Sequence, residues 1–320
     1  MKNLSHPRAA RRAMMGLAGG LTAMLALTAC GANSDPQGET ESAGPEGSIV
    51  VGSADFPESQ IIAELYAGAL NAAGVEATTK PNIGSREIYY QAMEDGSINV
   101  IPEYSGNLLL LADTEATAAS AEEIMAALPD ALAAKSPDAN LGVLEPSEAE
   151  DKDALVVTAA TAEEYGLESI ADLAEVCGEI TLGAPSTFQE RSYGLPGLKE
   201  KYGCEPGSFE ALNDGGGELT LQALLNDDVQ VADIYTTTPS IEDNDLVVLE
   251  DPENNFIAQQ VLPLINTETV SEEAQNVLNE VSAQLTTEDL LSLNREVSGE
   301  EKRSPADAAA DWLADKGLAG

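Results

Sequence analysis

Histidine is almost missing from this 320-residue chain, which has one, His6. Imidazole is the commonest general base near neutral pH and a frequent metal ligand. His6 falls in residues 1–29, which read as a cleaved signal peptide, and without it the chain cannot form a Ser-His-Asp triad, a Cys-His pair or any His-containing zinc site. Phosphate-loop, GxSxG and GxGxxG patterns are also missing. Asp214-Gly215-Gly216-Gly217 lacks the phosphate-loop spacing and reads as a plain turn. Asp243-Asn244-Asp245 lacks the glycine and closing glutamate of a calcium loop and reads as surface acid. Paired carboxylates are plentiful, but no motif organises them. The expectation is a protein that is not an enzyme and uses no cofactor or metal.

Basic residues are scarce as well, 15 against 56 acids, for a formal charge of −41. The acids are spread along the chain, as on a solvated surface. Such a surface repels nucleic acid and anionic lipid and mildly favours the approach of cations, within a screening length of about 10 Å. Aromatic residues make up only 4%, so each ring near a candidate site carries weight.

Four of the few bases, Lys2, Arg8, Arg11 and Arg12, precede an apolar run from Ala13 to Leu27 that ends in Leu27-Thr28-Ala29-Cys30. The run is short and rich in Gly and Ala, which fits a signal peptide over residues 1–29 rather than a spanning helix. Arg11-Arg12 fits a twin-arginine signal poorly, so the general export route is preferred. The segment resembles a bacterial lipobox. That implies cleavage before Cys30, a lipid on its sulfur, and an extracytoplasmic protein anchored to the cell membrane; the alternative is a stray cysteine in a buried helix. Residues 30–47 have no apolar periodicity and many turn formers, as in a flexible tether. Outside the cytoplasm, Cys177 and Cys204 either form a disulfide or stand as separate buried thiols.

From Ser48 onward, short apolar runs alternate with helical spacing. Ile49 to Val51, a helix through Ile61, Ile62, Leu65, Ala69 and Leu70, a strand over 76–80, a helix over 87–94 and a strand over 98–101 make β-α-β-α-β. A second series places strands at 155–157, 180–184 and 229–234. A body of about 270 residues is longer than one core usually supports. The expected fold is α/β with two lobes, mostly parallel sheets flanked by helices, and ligand crevices at the carboxyl ends of strands. Lobe I would take residues 48–152 and 245–320, lobe II residues 153–244. Ser120 with Glu123 forms a capping box, Ser304-Pro305 opens the last helix and Gly317 closes it. Residues 268–316 read as a helical tail returning over the first lobe.

Three segments, Gly52-Ser53-Ala54-Asp55-Phe56-Pro57-Glu58-Ser59, Asn82-Ile83-Gly84-Ser85-Arg86-Glu87 and Ile101-Pro102-Glu103-Tyr104-Ser105-Gly106, resemble successive parts of one family. It is the glycine betaine, choline and carnitine (osmoprotectant) substrate-binding proteins of ABC importers. Leu182-Gly183-Ala184-Pro185, Phe188, Arg191, Gly194 to Leu198, Tyr202-Gly203, Ala232 to Thr237, Leu249 to Pro252 and Pro263-Leu264 continue the resemblance in order.

The resemblance implies a periplasmic-binding-protein-like clamp of type II. It would close over a small cationic solute and deliver it, as a monomer, to an ABC permease and its ATPase subunit. A trimethylammonium head offers no N–H donor, so ring faces hold it without stranding polar groups. Tyr104 and Tyr235 follow strands and are the first candidates for that cage. Arg191 matches the family's anion-binding arginine and would take a ligand carboxylate. Phe56 with Ser59, and Ser85 with Arg86, sit in loops opening helices, where backbone donors face the crevice. Thr236, in a later matched segment, and Gln259, between two of them, complete the candidate set.

The sequence departs from the family at two cage positions, with Asp153 before the crossing strand and Phe256-Ile257-Ala258-Gln259-Gln260 after Leu-Glu-Asp-Pro, where relatives often carry tyrosines. Three outcomes follow. Phe188, Tyr193 or Phe256 substitutes for the missing rings, Asp153 faces the cation, or the ligand differs, ergothioneine being one such compound. A histidine-independent enzyme and a lipoprotein that only binds a partner protein remain as other classes, neither with a motif.

Overall fold

The computed structural model describes residues 47–299 and 301–320. Cys30, the signal peptide and all but the last residue of the tether lie outside that range.

The first half of the described chain runs β1 (Ile49–Gly52), α1 (Pro57–Ala72), β2 (Ala77–Lys80), α2 (Arg86–Glu94), β3 (Val100–Tyr104), α3 (Ser105–Ala112), α4 (Ala121–Lys135) and β4 (Leu141–Val143). A crossing then leads to β5 (Leu155–Val157), α5 (Ala159–Tyr165), α6 (Ile170–Val176), β6 (Thr181–Ala184), α7 (Leu195–Tyr202), β7 (Ser208–Ala211), α8 (Glu218–Leu225), β8 (Val231–Asp233), α9 (Ser240–Asp243) and β9 (Val247–Val248). The chain returns through β10 (Val261–Asn266) and ends in α10 (Glu272–Ser282), α11 (Thr287–Ser298) and α12 (Pro305–Asp315).

Two five-stranded sheets result, in the orders β2-β1-β3-β10-β4 and β7-β6-β8-β5-β9. The expected parallel pairs are present, β1 with β2 and β3, and β6 with β7 and β8. Each sheet also carries two antiparallel pairs, made by β10 and by β5. Both are strands that enter directly from the other lobe; without a crossover helix of the βαβ kind, nothing requires them to run parallel. β9 belongs to the second sheet, so that sheet reaches past residue 244 to Val248.

The helical tail covers the first sheet. Leu278, Val281, Leu290, Leu293, Trp312 and Leu313 pack into one core with Ile61, Ile62, Leu65 and Leu70 of α1. Ser120 and Glu123 make the expected reciprocal cap on α4, and Ser304 caps α12 ahead of Pro305. In the second lobe Cys177 and Cys204 form a disulfide with Cα atoms 5.4 Å apart. Both sit in the core beneath β6 and β8. Among the described residues no helix is long and apolar enough to cross a membrane.

Candidate functional site

The middle strand of each sheet points its carboxyl end at the same small chamber. Tyr104 ends β3, and Tyr235 lies two residues beyond β8. Open α/β folds put ligand crevices at such strand ends. The chamber is lined by Phe56, Tyr104, Asp151, Asp153 and Tyr235, with Arg86, Asn107 and Arg191 closing one side. The Phe56 ring centroid is 5.3 Å from that of Tyr235, edge-on, and 6.1 Å from that of Tyr104. Water-sized free space inside is about 20 Å³, enough for one water molecule.

Phe56 brings its ring to the chamber wall. A glycine turn makes room for it. Gly215, with φ +62°, would place a Cβ 2.8 Å from the Phe56 Cβ, and only a residue without a Cβ fits there unstrained. The segment read as a plain turn is therefore a wall behind the Phe56 and Tyr235 rings. Asp214 holds it by accepting from the Leu219 N–H at 2.7 Å and the Thr220 hydroxyl at 2.5 Å.

The rings proposed as substitutes lie elsewhere. Phe188, Tyr193 and Phe256 form their own cluster at 6.3 to 6.4 Å centroid separations, in the core of the second lobe. Asp153 does line the chamber, 5% exposed, and its Oδ2 accepts from Asn107 Nδ2 at 2.9 Å.

Several candidates support the chamber from behind. Ser59 Oγ accepts from the Ala54 N–H at 2.9 Å, fixing the loop that carries Phe56. Gln259 Oε1 accepts from the Asn107 N–H at 3.0 Å. Thr236 Oγ1 accepts from the Lys152 N–H at 3.0 Å and donates to Asp151 at 3.2 Å. Ser85 lines a wider groove outside the chamber with Arg86, Thr187 and Tyr235.

The two arginines differ. Arg86 is buried and donates through Nε to both oxygens of Glu103, at 3.0 and 3.1 Å. Glu103 also accepts from the Tyr89 hydroxyl at 2.8 Å and the Tyr104 N–H at 2.8 Å, so this ion pair fixes the backbone of the first ring. Arg191, at the cleft edge, reaches across to Glu87 at 3.3 and 3.4 Å and donates to the Tyr193 hydroxyl at 2.8 Å. Burial pushes the Glu87 carboxyl up, but the Arg191 charge and hydrogen bonds outweigh it and bring it to about 2. The Arg191 fork is thus engaged by this protein's own groups.

Acid dominates the rest of the site. Asp151 is fully buried, and burial first, then the Glu58 charge, holds its carboxyl well above the usual range. Asp233 is raised in the same way, by burial and by Asp153, and its Oδ1 has no hydrogen-bond partner among the described residues. Burial also raises the phenols of Tyr104 and Tyr235, so both rings are neutral. These acids form no metal-ligating group among the described residues. What the arrangement offers is ring faces with the Asp153 carboxyl beside them, a setting for a desolvated cation.

Sequence reasoning missed Glu58, Glu103, Asn107 and Asp151. Glu103 lies past the expected strand end at 101, and only the structure extends β3 over it, with all five of its residues buried. The other three act through partners at least 46 residues away, which no local pattern reveals.

Over residues 47–315 the chain matches the family model described as the substrate binding domain of ABC-type glycine betaine transport system. It is 26% identical over 278 residues to the glycine betaine-binding protein YehZ of Escherichia coli (strain K12), covering 84% of this chain and 90% of that one. It is 24% identical over 278 residues to the carnitine transport binding protein OpuCC of Listeria monocytogenes serotype 1/2a (strain 10403S), covering 83% and 85%. A crystal structure of a glycine betaine/carnitine/choline ABC transporter protein matches with a TM-score of 0.66 at 25% identity, over 85% of this chain and 100% of that chain. A match across most of the described residues, joined to a cleft built from both sheets, establishes that this chain belongs to the family of substrate-binding domains of ABC-type glycine betaine transport systems.

Proposed function

We propose that this protein captures a quaternary-ammonium solute of the glycine betaine, choline or carnitine type between its lobes and hands it to an ABC permease. It would do so from the outer side of the cell membrane, anchored by lipid on Cys30. The observation that carries the reading is the chamber walled by Phe56, Tyr104 and Tyr235 from opposite lobes, with Asp153 in the same wall. The lobes are taken as residues 48–152 with the return to the C-terminus, and the segment from Asp153 through β9.

Each ring face stabilises a desolvated cation by about 0.5 to 2 kcal/mol. Free space of about 20 Å³ holds about one water molecule and no larger group. A methylated ammonium therefore enters only when the rings part, and bonds between the lobes oppose that opening. Among them are Glu58 and Asn294 to Thr237, Asn107 to Asp153, Glu87 to Arg191, and Arg295 to Glu242 and Asp243. Remaking them over the solute couples binding to closure.

Thermal melts with choline, glycine betaine and carnitine test the reading, because a ligand at 100 times its Kd adds about 2.7 kcal/mol of stability. The expected result is a shift with at least one of them that Tyr235→Ala cuts to about half or less. No shift with any of the three would overturn it. Anchoring is tested separately: Cys30→Ser leaves an unlipidated precursor, and lipid-bearing mutant protein in the membrane fraction would contradict the anchor.

A further inference from the structure

A second cavity of about 270 Å³ adjoins the chamber and shares Arg86, Asn107 and Arg191 with it as a common wall. Its other walls come from both lobes. Leu110 and Leu111 of α3 face it from the first, and Thr187 and Tyr193 from the second. The two walls differ in character. The first joins the two leucines to Glu87 and Thr114; the second joins Glu190 and Ser192 to an aromatic ring with a planar guanidinium over it, the Arg191 carbon 5.8 Å from the Tyr193 centroid.

That second wall is held rigidly. The Tyr193 ring packs edge-on against Phe188 and Phe256, each at 6.3 Å, and its hydroxyl accepts from Arg191. Arg191 is itself tied to Glu87 across the cleft, so it stays at the boundary between the two spaces. A flat group sliding between the leucines and this wall would meet apolar contact on one face and π-stacking on the other.

We infer that this groove seats the far end of an elongated ligand, an uncharged, largely apolar or aromatic substituent carried by the same molecule whose cationic head occupies the ring chamber. The inference rests on the quaternary-ammonium reading of that chamber and names the substrate class more narrowly. The volumes argue for it. The chamber's free space of about 20 Å³ takes a head group only once the rings part, so a tail must lie outside it; of the spaces bordering it, the 270 Å³ cavity carries the Leu110 and Leu111 pair and the groove past Ser85 does not. Small-molecule sites usually hold a few hundred Å³.

Choline and benzoylcholine carry the same head and differ in the tail, so calorimetric titration of both separates the two spaces. Wild-type protein should bind benzoylcholine about tenfold or more tighter than choline. Leu111→Trp fills the groove from its half-buried wall, and Thr114→Trp fills it from the exposed rim, where folding tolerates the change. Either variant should remove the benzoylcholine advantage and leave choline affinity within about twofold, a difference of a few tenths of a kcal/mol. Benzoylcholine binding no tighter than choline in wild type, or equal losses for both compounds in Thr114→Trp, would overturn the groove assignment while leaving the chamber intact. Failure of both compounds to bind folded wild-type protein would instead sink the reading of the chamber, and this inference with it.

Discussion

Tyr104 donates its phenol hydroxyl to Glu58 at 2.6 Å, and the other oxygen of that carboxylate accepts from the Thr237 hydroxyl at 2.5 Å and from Asn294 at 2.6 Å. Three elements meet there: the strand bearing one ring, the loop two residues beyond the other ring, and helix α11. Glu58 is buried, and its partners here are three donors with no base among them. It is a positioning residue for the chamber.

Glu58→Gln replaces one acceptor oxygen by an NH₂ that must face a donor. The expected loss is about 1 to 3 kcal/mol of stability, the cost of leaving a buried polar group unpaired. Denaturant melts measure it, and a change below a few tenths of a kcal/mol would show that the network is slack.

Asp233 predicts a pH dependence. Its carboxyl, raised by burial and by the neighbouring Asp153 charge against the opposing Arg191 charge and Ala154 N–H, keeps its proton in the folded state where the unfolded chain has lost it. The folded state then binds more protons, so stability falls as pH rises from the ordinary value of 3.8 through the raised one. Asp233→Asn removes that burden. The variant should melt higher than wild type near neutral pH, with the gain shrinking as pH falls toward 3.8. Parallel melting curves across that range would assign the raised carboxyl to another group.

Much of this architecture is legible in the sequence. The β-α-β-α-β reading matches β1 to β3 because those strands are short apolar runs separated by amphipathic helices. β3 runs on through Pro102 and Glu103, which interrupt the apolar run and are tolerated because Arg86 and Tyr89 meet the glutamate. β7 escapes sequence reading because it is an edge strand of mostly exposed residues with no apolar run, and β9 because only two residues of the run Leu246 to Leu249 pair in the sheet. At the site, strand ends located Tyr104 and Tyr235, and the Phe56 ring was hidden because its place depends on Gly215, 159 positions later in the chain. Glu58 and Asn294 are 236 positions apart and meet only after the tail folds back.

The disulfide gives a third prediction. The cysteines are 27 positions apart and both are buried. Closing a loop of that size stabilises by about 2 to 4 kcal/mol. Thiol labelling of unfolded, unreduced exported protein should find no free cysteine. Cys204→Ser should lower the melting temperature, and two labelled thiols in wild type would refute the bond.

The two tyrosines should respond differently to the loss of a hydroxyl. Replacing either by Ala removes a ring face and admits water to the chamber, so affinity for the quaternary ammonium identified by melting should fall about tenfold or more. Replacing either by Phe keeps the face. At Tyr235 no hydrogen bond to the hydroxyl forms among the described residues, so Tyr235→Phe should bind almost as well as wild type. At Tyr104 the hydroxyl donates to Glu58, and Tyr104→Phe strips one donor from a buried carboxylate. That variant should lose about 1 to 3 kcal/mol of stability, with a smaller loss of affinity than Tyr104→Ala. Titration and melting of all four variants separate ring from hydroxyl. Equal affinity losses for Phe and Ala at Tyr235 would mean that the hydroxyl, not the ring face, holds the ligand.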